Sequence, residues 1–295
     1  MTTLILYAAT VLVWGSTWIM MKFQLGTVAP SASLCYRYGI AGILVLVGAS
    51  LFGKNVMLRW RQHLWCALQG GLMFSVNYWL TYLAAEHLTT GVVSVFFAGA
   101  CGATMLISFL LFRTVPALSG AVGALCGVLG TALVFWPEVA GLPLDGPEVQ
   151  SGALLVLSVF MFAAGGLVAA RNLGAGFPRY ATIGWSMVYG SMWMGALTIA
   201  TGEVFAFEVS FAYIGSLVWL VLLGSALVFA MYFILVERIG PERASYASVL
   251  FPLVALVIST FAEDYHWNWM ALIGVPLAIL GNALVLWRSQ RSPAS

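Results

Sequence analysis

The sequence predicts an all-α integral membrane protein with ten transmembrane helices arranged as two inverted five-helix repeats. Of its 295 residues, 62% are hydrophobic and only 7% are charged, whereas soluble domains carry about 25% charged residues. Crossing about 30 Å of hydrocarbon takes roughly 20 apolar residues, so the chain has room for about ten spans and for no soluble enzyme domain. The twelve Lys and Arg residues are dispersed along the chain, which excludes a nucleic-acid surface.

Apolar windows bounded by charged residues, Pro or Gly mark the ten predicted helices. They are residues 3–22, 31–52, 64–85, 91–112, 117–136, 150–170, 180–200, 210–236, 244–262 and 268–287. We expect the first window to be a retained span, because no basic residue precedes it and no small-residue cleavage site follows it.

The charges of the loops predict the orientation. With a cytoplasmic amino terminus, ten of the twelve basic residues fall on the cytoplasmic side. These ten are Lys54, Arg59, Arg61, Arg113, Arg171, Arg179, Arg238, Arg243, Arg288 and Arg291. The opposite loops collect acidic residues such as Glu86, Asp145 and Glu203. By the positive-inside rule, we expect both termini in the cytoplasm.

A shift of 151 residues aligns the two halves of the chain without gaps. Matched pairs include Glu86 with Glu237, Ser94 with Ser245, Gly123 with Gly274, Gly130 with Gly281, and Trp136 with Trp287. This predicts a duplication, with a first repeat at 1–137, a connecting loop at 138–149 and a second repeat at 150–295. Because five is odd, the second repeat enters the membrane from the opposite side, an architecture typical of carriers that work by alternating access.

Three segments resemble those of EamA-type members of the drug/metabolite transporter superfamily. They are Val13-Trp14-Gly15-Ser16-Thr17-Trp18 ending at Lys22, Arg37 in helix 2, and Ala244-Ser245 followed by Val249-Leu250-Phe251-Pro252. The resemblance covers nearly the whole chain and implies a ten-helix carrier of the bacterial inner (plasma) membrane. Characterised bacterial members export amino acids and related metabolites, including aromatic amino acids. Two departures are Cys101, where the second half has Pro252, and Arg113, where the family commonly has a Gly-Glu pair.

One arc of helix 3 is polar and aromatic. Asn77, Tyr78, Thr81 and Tyr82 are spaced one turn or less apart on a helix. A buried amide needs partners, so we expect this arc to line a cavity. The alternative is an interhelical hydrogen bond from Asn77, with the tyrosines packed as core. The equivalent arc of helix 8 contributes Tyr232.

Helix 1 presents Trp14, Thr17 and Met21 on one face, with Lys22 beside them at the end of the helix. Lys22 either extends to the membrane interface or reaches inward to a carboxylate of a substrate or of Glu86. We expect Arg37 to pack against backbone carbonyls, with substrate contact as its alternative role.

Helices 4 and 9 pair Ser94 with Ser245, near irregularities at Gly99, Gly102 and Pro252. Broken helices are common binding sites in inverted-repeat carriers, and Phe97 and Tyr246 could stack on an apolar or aromatic substrate there. Helices 5 and 10 carry rows of glycines, and we expect these rows to act as a packing scaffold.

The sequence predicts no cofactor, no metal site and no enzyme activity. The four cysteines lie in apolar runs without metal-type spacing. The G-x-x-x-x-G-K match at Gly48–Lys54 lacks the Ser/Thr and the preceding strand of an ATP site. No carboxylate lies deep in a predicted span, which favours uniport over proton coupling.

The expected function is secondary export of small amphiphilic metabolites, most of all amino acids including aromatic ones. Two alternatives stay open: a proton-coupled multidrug or nucleobase exporter, and a non-transporting receptor or assembly factor. The expected partners are a small-molecule substrate and the lipid bilayer, with no nucleic acid, and we expect a monomer.

Overall fold

The structure is a computed structural model that describes residues 2–88, 90–115, 118–134, 136, 140–141, 146–262 and 267–287. Throughout these ranges the regular structure is helical. The simple helices are α1 (Thr3–Lys22), α2 (Pro30–Leu51), α5 (Leu118–Val134), α6 (Pro147–Gly174), α7 (Arg179–Ala200) and α10 (Trp269–Trp287). Four others are composite: α3 (Trp60–Gly70, Gly71–Val76, Asn77–Ala85), α4 (Thr90–Ala98, Ala100–Phe112), α8 (Phe211–Val221, Leu222–Leu227, Val228–Ile239) and α9 (Pro241–Ser245, Ala247–Ala262).

The chain is a multi-pass membrane protein by the length and composition of its helices. Six described stretches are long and apolar enough to cross a membrane: Thr3–Lys22, Pro30–Leu51, Val92–Phe112, Pro147–Gly174, Phe211–Ile239 and Pro241–Ile258. Leu118–Val134 and Trp269–Gly281 are shorter apolar helices. The count of ten spans therefore stays a prediction.

Several helices extend beyond their predicted windows, and α3 and α6 do so at their starts. Helix α3 begins at Trp60, because the Gln62 side chain accepts a hydrogen bond from the Arg59 N–H at 2.8 Å and caps the first turn. The first turn is polar, so a window defined by apolar residues does not include it. Helix α6 begins at Pro147, inside the predicted connecting loop, since proline suits the first turn of a helix.

Helices α3 and α8 each contain a π-helical turn. The turns are Gly71–Val76 and Leu222–Leu227, and they begin 151 residues apart, the same shift that aligns the two halves of the sequence. A π turn bonds residue i to residue i+5 and is often found at functional sites, because it disturbs the regular pairing of carbonyl groups.

The strongest helix contacts join the two halves of the chain. Helix α5 packs on α10, α2 on α7, α1 on α8 and α9, and α6 on α3 and α4. At the α5–α10 contact, a Cβ at Gly130 would lie 2.5 Å from the backbone nitrogen of Ala278, and one at Gly281 would lie 2.5 Å from the Gly123 carbonyl oxygen. The glycine row thus lets the two backbones touch, as its sequence pattern predicts.

Candidate functional site

A small cavity lies between the two halves of the chain. Nine residues from six helices line it: Trp14, Thr17, Trp18, Met21, Arg37, Tyr78, Phe97, Phe162 and Phe251. It offers about 20 Å³, which is room for about one water molecule. The side chains of these nine residues therefore fill most of the space between the helices at this point.

Trp14 is the centre of an aromatic cluster at this cavity. Its ring centroid lies 5.0 Å from those of Phe229 and Tyr232, 5.1 Å from that of Phe251 and 6.1 Å from that of Phe162. Tilted and edge-to-face pairs of this kind each contribute about 0.5–1.5 kcal/mol beyond the area they bury. Helix α1 is thus held against α6, α8 and α9 through one side chain.

A second aromatic contact extends the cluster to α4. The ring centroids of Trp18 and Phe97 lie 5.1 Å apart, and those of Phe97 and Phe162 lie 6.0 Å apart. The cavity therefore has aromatic walls on several sides, a surface that suits a flat apolar ligand.

Arg37 supplies the charge of the cavity. Its side chain is 3% exposed, and it donates from Nε to Ser225 Oγ at 2.9 Å and from Nη2 to the Gly224 carbonyl at 3.0 Å. The guanidinium carbon lies 4.9 Å from the ring centroid of Tyr78, a favourable cation–π distance. The expected contact with a backbone carbonyl is present, and Arg37 also lines the cavity.

The acceptors of Arg37 belong to the π turn of α8. Gly224 lies in this turn, and a Cβ there would lie 2.8 Å from Thr17 Cγ2 and 3.6 Å from Arg37 Nη2. Glycine therefore allows α8 to approach α1 and α2 closely enough for its carbonyl to reach the guanidinium.

The cavity is positive, since Arg37 is its only charged lining residue within the described ranges. The ion pair between Arg179 and Glu237 lies elsewhere, at the start of α7 and near the end of α8. A buried charge is costly unless it is paired or hydrogen-bonded. Here hydrogen bonds and aromatic faces stabilise the guanidinium, without a carboxylate in the lining.

The structure brings half of the predicted site residues together. Trp14, Thr17, Tyr78 and Phe97 line the cavity, and Tyr232 packs on Trp14. The Tyr82 side chain is buried and interacts electrostatically with Arg37.

Asn77 and Thr81 are fully buried against α6. Asn77 Nδ2 donates to the Ser158 carbonyl at 3.2 Å, and the Ser158 hydroxyl donates to the Asn77 carbonyl at 2.9 Å. The hydroxyl oxygens of Thr81 and Ser158 lie 2.7 Å apart. The interhelical hydrogen bond, which was the alternative prediction to cavity lining, is therefore present.

Four predicted site residues lie away from the cavity lining. Lys22 is exposed at the end of α1, and Ser94 is buried in α4. The Ser245 hydroxyl donates to the Glu242 carbonyl at 2.6 Å, within the first turn of α9. The Tyr246 hydroxyl donates to the Gly120 carbonyl at 2.7 Å and so joins α9 to α5.

Sequence reasoning omitted Trp18, Phe162 and Phe251 from the site, although all three line the cavity together with Met21, which it placed on the face of Trp14 and Thr17. Trp18 lies one helical turn after Trp14, so the i, i+4 spacing could have identified it. Phe162 and Phe251 lie in uniformly apolar stretches, which carry no signal that separates cavity lining from core.

Polar contacts join the segment between α1 and α2 to the beginning of α8. Gln24, after α1, donates to Ser216 Oγ at 2.6 Å and to the Tyr213 carbonyl at 2.9 Å, and it accepts from Ser33 at 2.7 Å. In the adjoining loops Thr27 donates to Glu208 at 2.7 Å. Hydrogen bonds from Ser210 and Thr27 lower the pKa of the Glu208 carboxyl. These contacts hold the connection between α1 and α2 against the first turns of α8 and the residues just before it.

Variants of α3 can separate packing from ligand contact. We expect Asn77→Ala to lower the melting temperature of the purified protein, because an interhelical hydrogen bond in a membrane contributes about 0.6–2 kcal/mol. Tyr78→Ala should weaken substrate exchange per folded molecule, because Tyr78 lines the cavity and its ring lies 4.9 Å from the Arg37 guanidinium carbon. Native exchange per folded molecule in Tyr78→Ala would contradict this contact.

Comparison with known proteins agrees with this architecture. The model of a family described as EamA-like transporters matches residues 1–136 and 150–287. The chain belongs to the EamA-like transporter family. It is accordingly a multi-pass membrane transporter of the drug/metabolite transporter type, and the family points to transport rather than to catalysis.

Similar EamA-like relatives come from bacteria and archaea. Protein PecM of Dickeya dadantii is 27% identical over 265 residues, covering 89% of this chain and 85% of that protein. An uncharacterized transporter of Synechocystis is 25% identical over 94% of this chain and 87% of its own length. An uncharacterized transporter of Archaeoglobus fulgidus is 22% identical over 96% of this chain and 98% of its own length.

A crystal structure shares the fold of this EamA-like chain. The TM-score is 0.80 with 98% of both chains covered, at 16% sequence identity. At this identity the likeness concerns the fold alone.

Proposed function

We propose that the chain is a secondary exporter of small amphiphilic metabolites, chiefly amino acids including aromatic ones, and that it works by alternating access as a uniporter. The observation that carries this proposal is the aromatic cavity with a buried guanidinium, built by helices of both halves. An aromatic wall suits an apolar side chain, and the guanidinium suits a carboxylate. Rocking of the halves would enlarge the cavity and admit the substrate.

The proposed architecture is ten spans in two inverted repeats, 1–137 and 150–295, joined by 138–149. The helix contacts support it, because exchanging α1–α5 with α6–α10 reproduces their pattern. The contact of α1 with α9 corresponds to that of α6 with α4, and the contact of α1 with α8 to that of α6 with α3. A pseudo-two-fold relation predicts such reciprocity.

Two apolar grooves support the same relation. One lies among α4, α5 and α6, and the other among α1, α9 and α10. Lining positions correspond by the 151-residue shift: Gly99 and Leu250, Gly102 and Leu253, Ala103 and Val254, Leu106 and Val257, Val128 and Ile279, and Ala132 and Ala283.

Transport in liposomes tests uniport. We expect vesicles loaded with L-phenylalanine to exchange it for labelled L-phenylalanine without a pH gradient or a membrane potential, because no carboxylate among the described cavity residues could carry a proton. An imposed pH gradient should cause no accumulation above equilibrium. Accumulation driven by the gradient would favour the proton-coupled alternative, and its loss in Lys22→Met would identify the coupling residue.

Orientation has its own test. Both termini should be cytoplasmic, so that Gly146, just before α6, faces away from the cytoplasm. In a bacterial inner membrane, Gly146→Cys should react with a membrane-impermeant maleimide added from the outer side, above the background of the native cysteines. Labelling from the cytoplasmic side only would reverse the proposed topology.

A further inference from the structure

Hydrogen-bond donors at the central cavity are more numerous than their acceptors. The indole N–H groups of Trp14 and Trp18 are buried, and neither has a hydrogen-bond acceptor in the described part of the chain. Both side chains line the cavity together with Arg37. Because buried donors are normally paired, two such groups at one cavity indicate that a ligand supplies the acceptor.

Arg37 also retains donor capacity. A guanidinium has five N–H groups, and the hydrogen bonds to Ser225, Gly224 and Tyr82 use three of them. The planar arrangement of the remaining donors matches the two oxygens of a carboxylate. The positive charge and the free hydrogen-bond donors of the cavity therefore both favour a carboxylate.

We infer that the polar group recognised at this cavity is the carboxylate of an aromatic ligand, an inference that rests on the proposed transport function. Arg37 and the indole N–H groups of Trp14 and Trp18 hold the carboxylate. The aromatic ring of the ligand packs against Phe97, Phe162 and Phe251.

The same lining offers little to an ammonium group. No Asp or Glu occurs among the residues described at the cavity, so an α-amino group finds aromatic faces and the Thr17 hydroxyl but no carboxylate, while the Arg37 charge repels it. Aromatic acids that lack the amino group, or carry it acylated, should therefore bind at least as tightly as the amino acid. Aromatic amines of the same size should bind much more weakly.

Ligand-induced thermal stabilisation of the full chain in detergent tests this selectivity without transport. The ligands are 3-phenylpropionate, N-acetyl-L-phenylalanine, L-phenylalanine and phenethylamine, since a ligand that binds the folded state raises its melting temperature. We expect the first two to stabilise at least as strongly as L-phenylalanine, and phenethylamine to bind at least tenfold more weakly. The inference would be overturned if phenethylamine stabilised the protein as much as 3-phenylpropionate does. It would also be overturned if neither ligand stabilised the protein.

Tryptophan variants locate the carboxylate. Trp14→Phe and Trp18→Phe keep an aromatic ring but remove the N–H, and each should weaken phenylpropionate binding about fivefold, the effect of one hydrogen bond. Trp269→Phe is the matched control, because this side chain is 64% exposed at the start of α10. Unchanged affinity in both cavity variants would contradict the assignment. If the ligands bind with this selectivity but liposomes show no exchange, the transport proposal fails and the binding inference stands.

Discussion

Arg37→Gln should lower substrate exchange about ten- to hundredfold, the largest effect that we expect from one cavity residue. The variant loses the charge that suits a carboxylate and the charge-assisted hydrogen bonds from α2 to Ser225 and Gly224 of α8. A hydrogen bond to a charged group contributes about 1.5–3 kcal/mol, and each 1.4 kcal/mol is a factor of ten in affinity. Counterflow of labelled L-phenylalanine in liposomes measures the effect.

The control for this experiment is Arg61→Gln. Arg61 is exposed near the start of α3, where it stacks on Trp60, so exchange should stay close to that of the native protein. Melting temperatures of both variants separate lost binding from lost folding. Exchange by Arg37→Gln within twofold of native would show that the guanidinium is not needed for transport.

The second large effect concerns folding. Gly130→Ala should lower the melting temperature by several degrees, because its Cβ would lie 2.5 Å from the Ala278 backbone nitrogen and 2.6 Å from the Gly274 carbonyl. Neither backbone atom can rotate away, so α5 and α10 must move apart, and such overpacking costs about 1–3 kcal/mol.

Gly102→Ala is the matched change within α4. A Cβ at Gly102 meets nothing within 4 Å, and alanine is the better helix former by about 1 kcal/mol. The melting temperature of this variant should equal or exceed that of the native protein. Size-exclusion chromatography after heating measures the folded protein that remains. Equal decreases of the melting temperature in the Gly130→Ala and Gly102→Ala variants would contradict the scaffold role of the α5–α10 contact.

The all-helical membrane fold could be predicted because helices leave a signal in the local sequence. Apolar windows indicate helices, and a single shift of 151 residues anticipated the distance between the two π turns. That shift did not predict the π turns themselves, since nothing in Gly71–Val76 or Leu222–Leu227 differs in composition from an ordinary apolar helix.

The neighbours of each side chain could not be predicted in the same way. Helical spacing placed Asn77 and Tyr78 on one arc, but they differ by about 100° around the axis. This angle directs Asn77 to Ser158 of α6 and Tyr78 to the cavity beside Arg37. Which neighbour occupies each direction depends on contacts between residues far apart in sequence. For the same reason, Phe162 and Phe251 could not be distinguished from core residues.

The π turn of α8 links helix register to the binding site. A π turn holds one more residue per hydrogen-bonded ring than an α turn, so its return to α-helix would rotate the following segment by about 100° and displace it by about 1.5 Å. Phe229 and Tyr232 lie on that segment and pack on Trp14. Gly224, which accepts from Arg37, lies within the turn itself. A change of register in this one turn would therefore shift the acceptors of Arg37 and two members of the aromatic cluster around Trp14 together.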